Sequence, residues 1–139
     1  MKVQILAVLT MDGCLSSELY DKAHQDLCLD RCGLDEIRKK AFYRVTPDYS
    51  ISMLHEWRKD CTNIRYLAEA TPDTADYING LLRMHAVDEI ILYTVPFISG
   101  SGRHFFKSAL PEQHWTLSSL KSFPNGVCRI IYILDKKAR

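Results

Sequence analysis

The sequence predicts a single α/β domain with a mixed, mainly parallel sheet, helices on both faces and a C-terminal antiparallel hairpin. Three observations carry this prediction. The apolar runs 90–93 and 130–134 are typical of strands buried on both sides, which requires helices over both faces of the sheet. Strand and helix patterns alternate along most of the chain, as parallel pairing demands. Asn125-Gly126, between the last two strand patterns, favours a tight hairpin turn.

Apolar alternation bounded by Gly, Pro, Asn or Asp predicts six strands. They cover 3–9, 49–54, 64–68, 89–95, 114–120 and 127–134.

Three helices are predicted between the strands. Ser17 caps a helix over 18–31, and a shorter helix covers 34–42. Thr71 followed by Pro72 predicts the start of the third helix, which ends near His85. One face of this helix is apolar and consists of Tyr77, Leu81, Leu82 and Met84.

Composition and charge limit the function classes. The chain has 139 residues, of which 47% are hydrophobic and 25% charged, so one globular domain over 1–139 is expected. A net charge of +1 argues against nucleic acid or an anionic membrane as partner. The apolar run 3–9 is too short for a secretion signal, and no run approaches the about 20 residues of a membrane helix, so we expect a cytoplasmic protein.

Five cysteines without a repeated spacing favour free thiols over a disulfide framework. His24, Cys28 and Cys32 are spaced four residues apart on the predicted first helix. Three ligands on one straight helix spread over about 12 Å and cannot all surround one ion, so the pattern favours a packing face and no metal site is predicted.

Two loops at the carboxyl ends of predicted strands are candidate ligand sites. Asp12-Gly13 follows the first strand, at the edge where open α/β sheets bind ligands, although Asp-Gly is also a common structural turn. The loop around Pro96, Gly100 and Gly102 exposes backbone amides that suit a polar or anionic ligand. The alternative is that these glycines only allow the chain to bend.

The order of these motifs resembles the dihydrofolate-reductase-like superfamily, and most closely the C-terminal reductase domain of the bifunctional riboflavin-biosynthesis deaminase-reductase. The resemblance rests on the apolar first strand, on Met11-Asp12-Gly13, on the 86–92 segment Ala-Val-Asp-Glu-Ile-Ile-Leu and on the 96–106 loop. It covers nearly the whole chain in order.

This resemblance implies an NADPH-dependent reductase that transfers hydride to a small heterocyclic or ribosyl substrate and works as a homodimer. It implies a catalytic role for Asp12. The implied cofactor-binding residues are Ala7, Gly13, Ala70 and Thr71. The implied substrate-binding residues are Pro96, Gly100, Ser101 and Gly102.

Two departures from the family pattern stand against this implication. The family's Glu-Gly-Gly, where cofactor phosphates approach a helix, is replaced by Glu69-Ala70-Thr71-Pro72, and proline has no amide to donate. The family's Gly-Arg-x-Thr after the second strand has no counterpart in the sequence. The alternative is a non-catalytic binding or regulatory domain of the same fold with a degraded cofactor site.

Overall fold

The computed structural model describes residues 1–15, 32–59, 63–100 and 103–135. Their strands are β1 (Lys2–Leu9), β2 (Cys14–Leu15), β3 (Tyr43–Arg44), β4 (Arg65–Glu69), β5 (Glu89–Thr94), β6 (Arg103–His104), β7 (Trp115–Ser122) and β8 (Cys128–Leu134). Their helices are α1 (Leu34–Lys40), α2 (Ile51–Arg58) and α3 (Ala75–Arg83).

Six of the strands form one sheet in the order β3-β4-β1-β5-β8-β7. β3, β4, β1 and β5 are parallel, whereas β8 and β7 pair antiparallel at one end. The predicted mixed, mainly parallel sheet with a C-terminal hairpin is therefore confirmed. Gly126 takes a positive φ of 89° in the hairpin turn, as the Asn-Gly pair predicts. β2 and β6 form a separate two-stranded sheet.

Alternation along β1 divides the core into two layers, one on each face of the sheet. Ile5 packs in the layer that contains α2 and α3, with the buried Ile78 of α3. Leu6 packs in the opposite layer, with Leu34 at the start of α1. Helices thus cover both faces, as predicted.

The predicted strand at 49–54 is wrong, because this segment begins α2. Ser50 caps the helix by accepting a hydrogen bond from the Met53 amide to its hydroxyl oxygen at 3.1 Å. Ile51 and Leu54 lie three residues apart, which is helical spacing, and Leu54 is buried. The strand beside β4 is the shorter β3, whose two residues are both exposed and carry no apolar alternation.

The third predicted helix is confirmed, but its regular part begins at Ala75 and not at Pro72. Thr71 to Thr74 form a hydrogen-bonded turn before it, in which the Thr71 hydroxyl accepts from the Thr74 amide at 3.3 Å. Met84 was expected on the buried face but is 55% exposed, because the helix has already ended at Arg83.

Other predicted boundaries shift slightly. α1 ends at Lys40 and leaves Phe42 exposed. β8 was expected to be buried on both sides, yet most of its residues are only half-buried. The predicted helix over 18–31, with His24 and Cys28, lies outside the described residues, whereas Cys32 is buried. Within the described ranges no helix is long and apolar enough to cross a membrane.

Candidate functional site

Three segments meet where β1, β4 and β5 end. Because these strands are adjacent and parallel, their carboxyl ends lie at one edge of the sheet. The segments are the turn 10–13 after β1, the turn 70–74 after β4 and the loop 95–100 after β5. We treat this edge as the candidate site, since ligands of open α/β sheets bind there.

Asp12 fastens two of these segments together. One carboxylate oxygen accepts from the Ser99 amide at 3.1 Å, and the other accepts from the Gly100 amide at 3.0 Å. The Thr10 hydroxyl donates to the same carboxylate. These donors, led by the hydroxyl and followed by the two amides, hold the pKa of Asp12 well below its usual range. A carboxylate kept ionised in this way is a poor proton donor, so the geometry gives Asp12 a positioning role.

Gly13 allows the turn to close. Its φ is 77°, its amide donates to the Thr10 carbonyl at 3.0 Å, and its carbonyl accepts from the Phe105 amide at 3.1 Å. A Cβ at this position would lie 3.9 Å from Nδ1 of His104. The exposed His104 imidazole therefore borders the turn.

The 95–100 loop has a defined shape where the structure describes it. The Met11 amide donates to the Phe97 carbonyl at 2.8 Å, which joins the loop to the first turn a second time. Gly100 has a φ of 72° and open space around its Cβ position. Pro96 lies beside the hairpin turn, where its Cγ would be 3.2 Å from a Cβ on Gly126. Gly100 is thus brought to the Asp12 turn, Pro96 packs toward the hairpin, and Ser101 and Gly102 lie outside the described residues.

The turn after β4 uses its backbone amides internally. The Ala70 amide donates to the Leu6 carbonyl at 2.8 Å, and the Thr71 amide donates to the Thr74 hydroxyl at 2.8 Å. The amides of Thr74 and Ala75 both donate to the Thr71 carbonyl, at 3.1 and 3.0 Å. Pro72 has no amide. A diphosphate at a helix start is held by open amides, so this turn does not fit that group of NADPH.

Glu69 places a carboxylate beside this turn, where two arginines neutralise it. Its carboxylate forms ion pairs with Arg38 of α1 and, at 3.2 Å, with Arg44 at the end of β3. Arg44 is the last residue of β3 and Thr46 lies two positions beyond it, so an Arg-x-Thr without a preceding glycine occurs at the end of this strand. Glu69 already neutralises one of the two arginines, which reduces their attraction for an incoming phosphate.

The two alanines implied as cofactor-binding residues are buried. Ala7 is 1% exposed and Ala70 is 0% exposed, and both pack in the layer with α2 and α3. Neither presents side-chain surface to a ligand in this conformation.

Asn79 is a site-supporting residue that the sequence analysis did not single out. It is fully buried in α3, and its side-chain amide donates to the Phe105 carbonyl at 2.8 Å. Its side-chain oxygen accepts from the Lys107 amide at 3.0 Å. Asn79 thereby holds the segment that follows the glycine loop. The available signal was a polar residue within an otherwise apolar helix face.

The described residues contain no group of three or more His, Cys, Asp or Glu that could hold a metal ion. In that part of the chain, the site is therefore built from backbone amides, hydroxyls and one anchored carboxylate.

Comparison with known proteins identifies the fold. The chain superimposes on a candidate riboflavin biosynthesis protein from Shewanella sp. PV-4 with a TM-score of 0.66 and 12% identity, over 98% of this chain and all of that one. It matches RibD of Acinetobacter baumannii with a TM-score of 0.61 and 12% identity over 97% of this chain, which spans 58% of that longer protein.

A riboflavin biosynthesis reductase of Saccharomyces cerevisiae matches with a TM-score of 0.52 and 13% identity, over 97% of this chain and 89% of the yeast protein. No family model and no curated protein sequence matches the chain. The chain has the dihydrofolate-reductase-like fold, which it shares with reductases of riboflavin biosynthesis. At these identities, the matches show the fold alone.

Proposed function

We propose that the chain is a small-molecule-binding protein of the reductase fold. The carboxyl edge of its sheet takes a small heterocyclic or ribosyl ligand, and the segment 69–75 does not cradle a phosphate. The observation that carries this proposal is the use of the backbone amides in the turn after β4. The Ala70 and Thr71 amides both donate hydrogen bonds to acceptors within the protein. Pro72 has no backbone N–H to donate. Glu69 places a carboxylate beside them.

The turn after β1 and the loop after β5 support the proposal. Asp12 orders the backbone at Ser99 and Gly100, so the loop is already shaped before a ligand arrives. Met11, in the turn after β1, is 63% exposed, and Ile98, in the loop after β5, is 71% exposed. The hydrogen bond from the Met11 amide to the Phe97 carbonyl joins these two segments. Exposed apolar side chains on two joined segments suit the face of a flat heterocycle.

A second candidate function is an NADPH-dependent reductase, as the resemblance implies. The observation that favours it is the intact Asp12-Gly13 turn fastened to the 95–100 loop, together with the fold shared with the yeast reductase. Because the 69–75 segment does not fit the cofactor diphosphate, we assign no hydride transfer to this chain.

Two titrations separate these functions. Uridine serves as a ribosyl heterocycle and NADPH as the cofactor, each added to the ¹⁵N-labelled protein. We expect uridine to shift the amide resonances of Met11, Ser99 and Gly100 in a saturable way, and NADPH to cause no saturable shift at Ala70 or Thr71. Absence of shifts with uridine would refute the proposed ligand class. Saturable NADPH binding, with oxidation of the cofactor when a substrate is added, would favour the reductase.

A glycine variant tests the reason for weak cofactor binding. Replacing Ala70 and Thr71 by glycine removes both side chains from the turn and allows its amides to reorient. It also removes the Thr71 hydroxyl that accepts from the Thr74 amide, which costs about 1 kcal/mol of stability. We expect this double variant to bind NADPH more tightly than the natural chain. Equal affinity would show that these two positions do not limit binding.

A further inference from the structure

A cavity lies away from the candidate site, between the sheet and α1. It has a volume of about 230 Å³ and is lined by residues near the starts of β1, β4 and β5, by two residues of β8 and by one side of α1. The candidate site is at the opposite, carboxyl edge of the same parallel strands. All the lining residues belong to the described part of the chain.

The lining is cationic. The lining contains four positively charged side chains and two carboxylates, which leaves an excess of two positive charges. The positive side chains are those of Lys2, Lys40, Arg65 and Arg129, and the carboxylates are those of Glu36 and Glu89. Glu89 is already engaged, since it accepts from the Gln4 side-chain amide at 2.6 Å and pairs with Lys2 at 3.6 Å. The remaining field in the cavity attracts an anion.

Arg129 is held as a fixed donor in the wall of this cavity. Its guanidinium hydrogen-bonds the Tyr93 hydroxyl, which itself donates to the Cys32 carbonyl at 2.8 Å. The Nε atom of Arg129 is buried and has no hydrogen-bond partner among the described residues. A buried donor without a partner carries a cost in stability.

Gly33 makes room for this arginine. A Cβ at Gly33 would lie 2.9 Å from Nη1 of Arg129, and the residue has a positive φ of 86° at the start of α1. The backbone conformation favours glycine here, and a Cβ would force the guanidinium to shift.

We propose that this cavity binds a single phosphate group, either as inorganic phosphate or as the phosphate of a small metabolite. Guanidinium groups match the geometry of phosphate oxygens, and the lysines add charge without strict geometry. Pockets for drug-sized ligands span about 300–1,000 Å³. A cavity of about 230 Å³ suits a phosphate with a few attached atoms and excludes a whole dinucleotide. The site is independent of the function proposed for the carboxyl edge.

The test is a calorimetric titration of the full chain at constant ionic strength, with inorganic phosphate in one arm and ribose 5-phosphate in the other. Sodium chloride at matched ionic strength controls for screening. We expect saturable binding in at least one arm, and the tighter arm distinguishes free phosphate from a phosphate ester. We expect the Gly33 amide resonance to shift, while the amides of Ser99 and Gly100 stay in place.

Charge variants locate the binding. Arg129→Gln should weaken phosphate binding at least tenfold, and Lys40→Gln combined with Arg65→Gln should weaken it through the rim of the cavity. Lys39→Gln is the matched control, because Lys39 is on the same helix but outside the cavity lining and pairs with Asp35 at 3.0 Å.

Three results would overturn the proposal: no saturable binding in either arm, an equal loss in Lys39→Gln, or unchanged binding in the rim double variant. The rim variant keeps the test decisive if Arg129→Gln does not fold. Neither titration depends on whether NADPH binds at the carboxyl edge.

Discussion

Replacing Asn79 by alanine tests how the segment after the glycine loop is held against α3. The side chain is fully buried and joins the helix to the Phe105 carbonyl and the Lys107 amide, at 2.8 and 3.0 Å. Its bond to the Ala75 carbonyl is local to the helix and carries no tertiary contact. The variant therefore leaves one carbonyl and one amide of the following segment without their partner.

Each buried polar group left without a partner costs about 1–3 kcal/mol. Because Phe105 is fully buried and Lys107 is half-buried, we expect Asn79→Ala to lower the free energy of unfolding by about 2–4 kcal/mol. Hydrogen exchange at the Lys107 amide should become faster, since this amide loses its acceptor.

Urea denaturation followed by tryptophan fluorescence measures the stability, and exchange measured by NMR reports the amide. The exposed Asn63→Ala is the control and should stay within about 0.5 kcal/mol of the natural chain. A loss below about 0.5 kcal/mol in Asn79→Ala, with the Lys107 amide still protected, would refute the reasoning.

Three further predictions concern the site and the assembly. Gly100→Ala should lower the free energy of unfolding by about 1 kcal/mol, because the residue has a φ of 72° although there is open space around its Cβ position. Gly80→Ala inside α3 is the control and should be neutral or stabilising. Equal stability of the two variants in urea denaturation would contradict this prediction. The chain should form a homodimer, because Leu117 and Leu120 of the edge strand β7 are 52% and 63% exposed. Sedimentation should show a dimer, and Leu120→Lys should dissociate it. A 16.0 kDa species of the natural chain at micromolar concentration would disprove the prediction. The lowered pKa of Asp12 stabilises the fold above the pKa of the unfolded chain, about pH 4, and this stabilisation is lost as pH falls further. The advantage of the natural chain over Asp12→Asn in thermal unfolding should therefore shrink below about pH 4, and a constant difference from pH 7 to pH 3 would be inconsistent with the carboxylate's role.

Local patterns predicted the parts of the fold that local physics determines. The apolar runs of β1 and β5 and the Asn125-Gly126 turn each carry their own signal, and the structure places them as expected. The prediction for 49–54 was wrong because the apolar Ile51 and Met53 alternate with serines, as in a strand. The Ser50 cap and the buried Leu54 instead favour a helix. β3 escaped because two exposed residues carry no periodic signal, and its pairing with β4 defines it.

The candidate site was predictable in position but not in chemistry. Asp12 and Gly100 are 88 positions apart along the chain, so their hydrogen bond depends on the parallel pairing of β1 with β5. The use of the Ala70 amide likewise depends on the Leu6 carbonyl of the neighbouring strand. The sequence showed that Ala70 and Thr71 stand in place of two glycines of the resembled family. Only the fold shows which acceptors the amides of these two residues bind.

The measurement that tests the central claim most directly is an equilibrium titration of the natural chain with NADPH, followed by quenching of protein fluorescence. Because the Ala70 and Thr71 amides donate within the protein and Pro72 has no amide, the account predicts no saturation up to about 100 μM NADPH. Saturation within this range would contradict the account, and a dissociation constant of about 1 μM or below would favour the reductase.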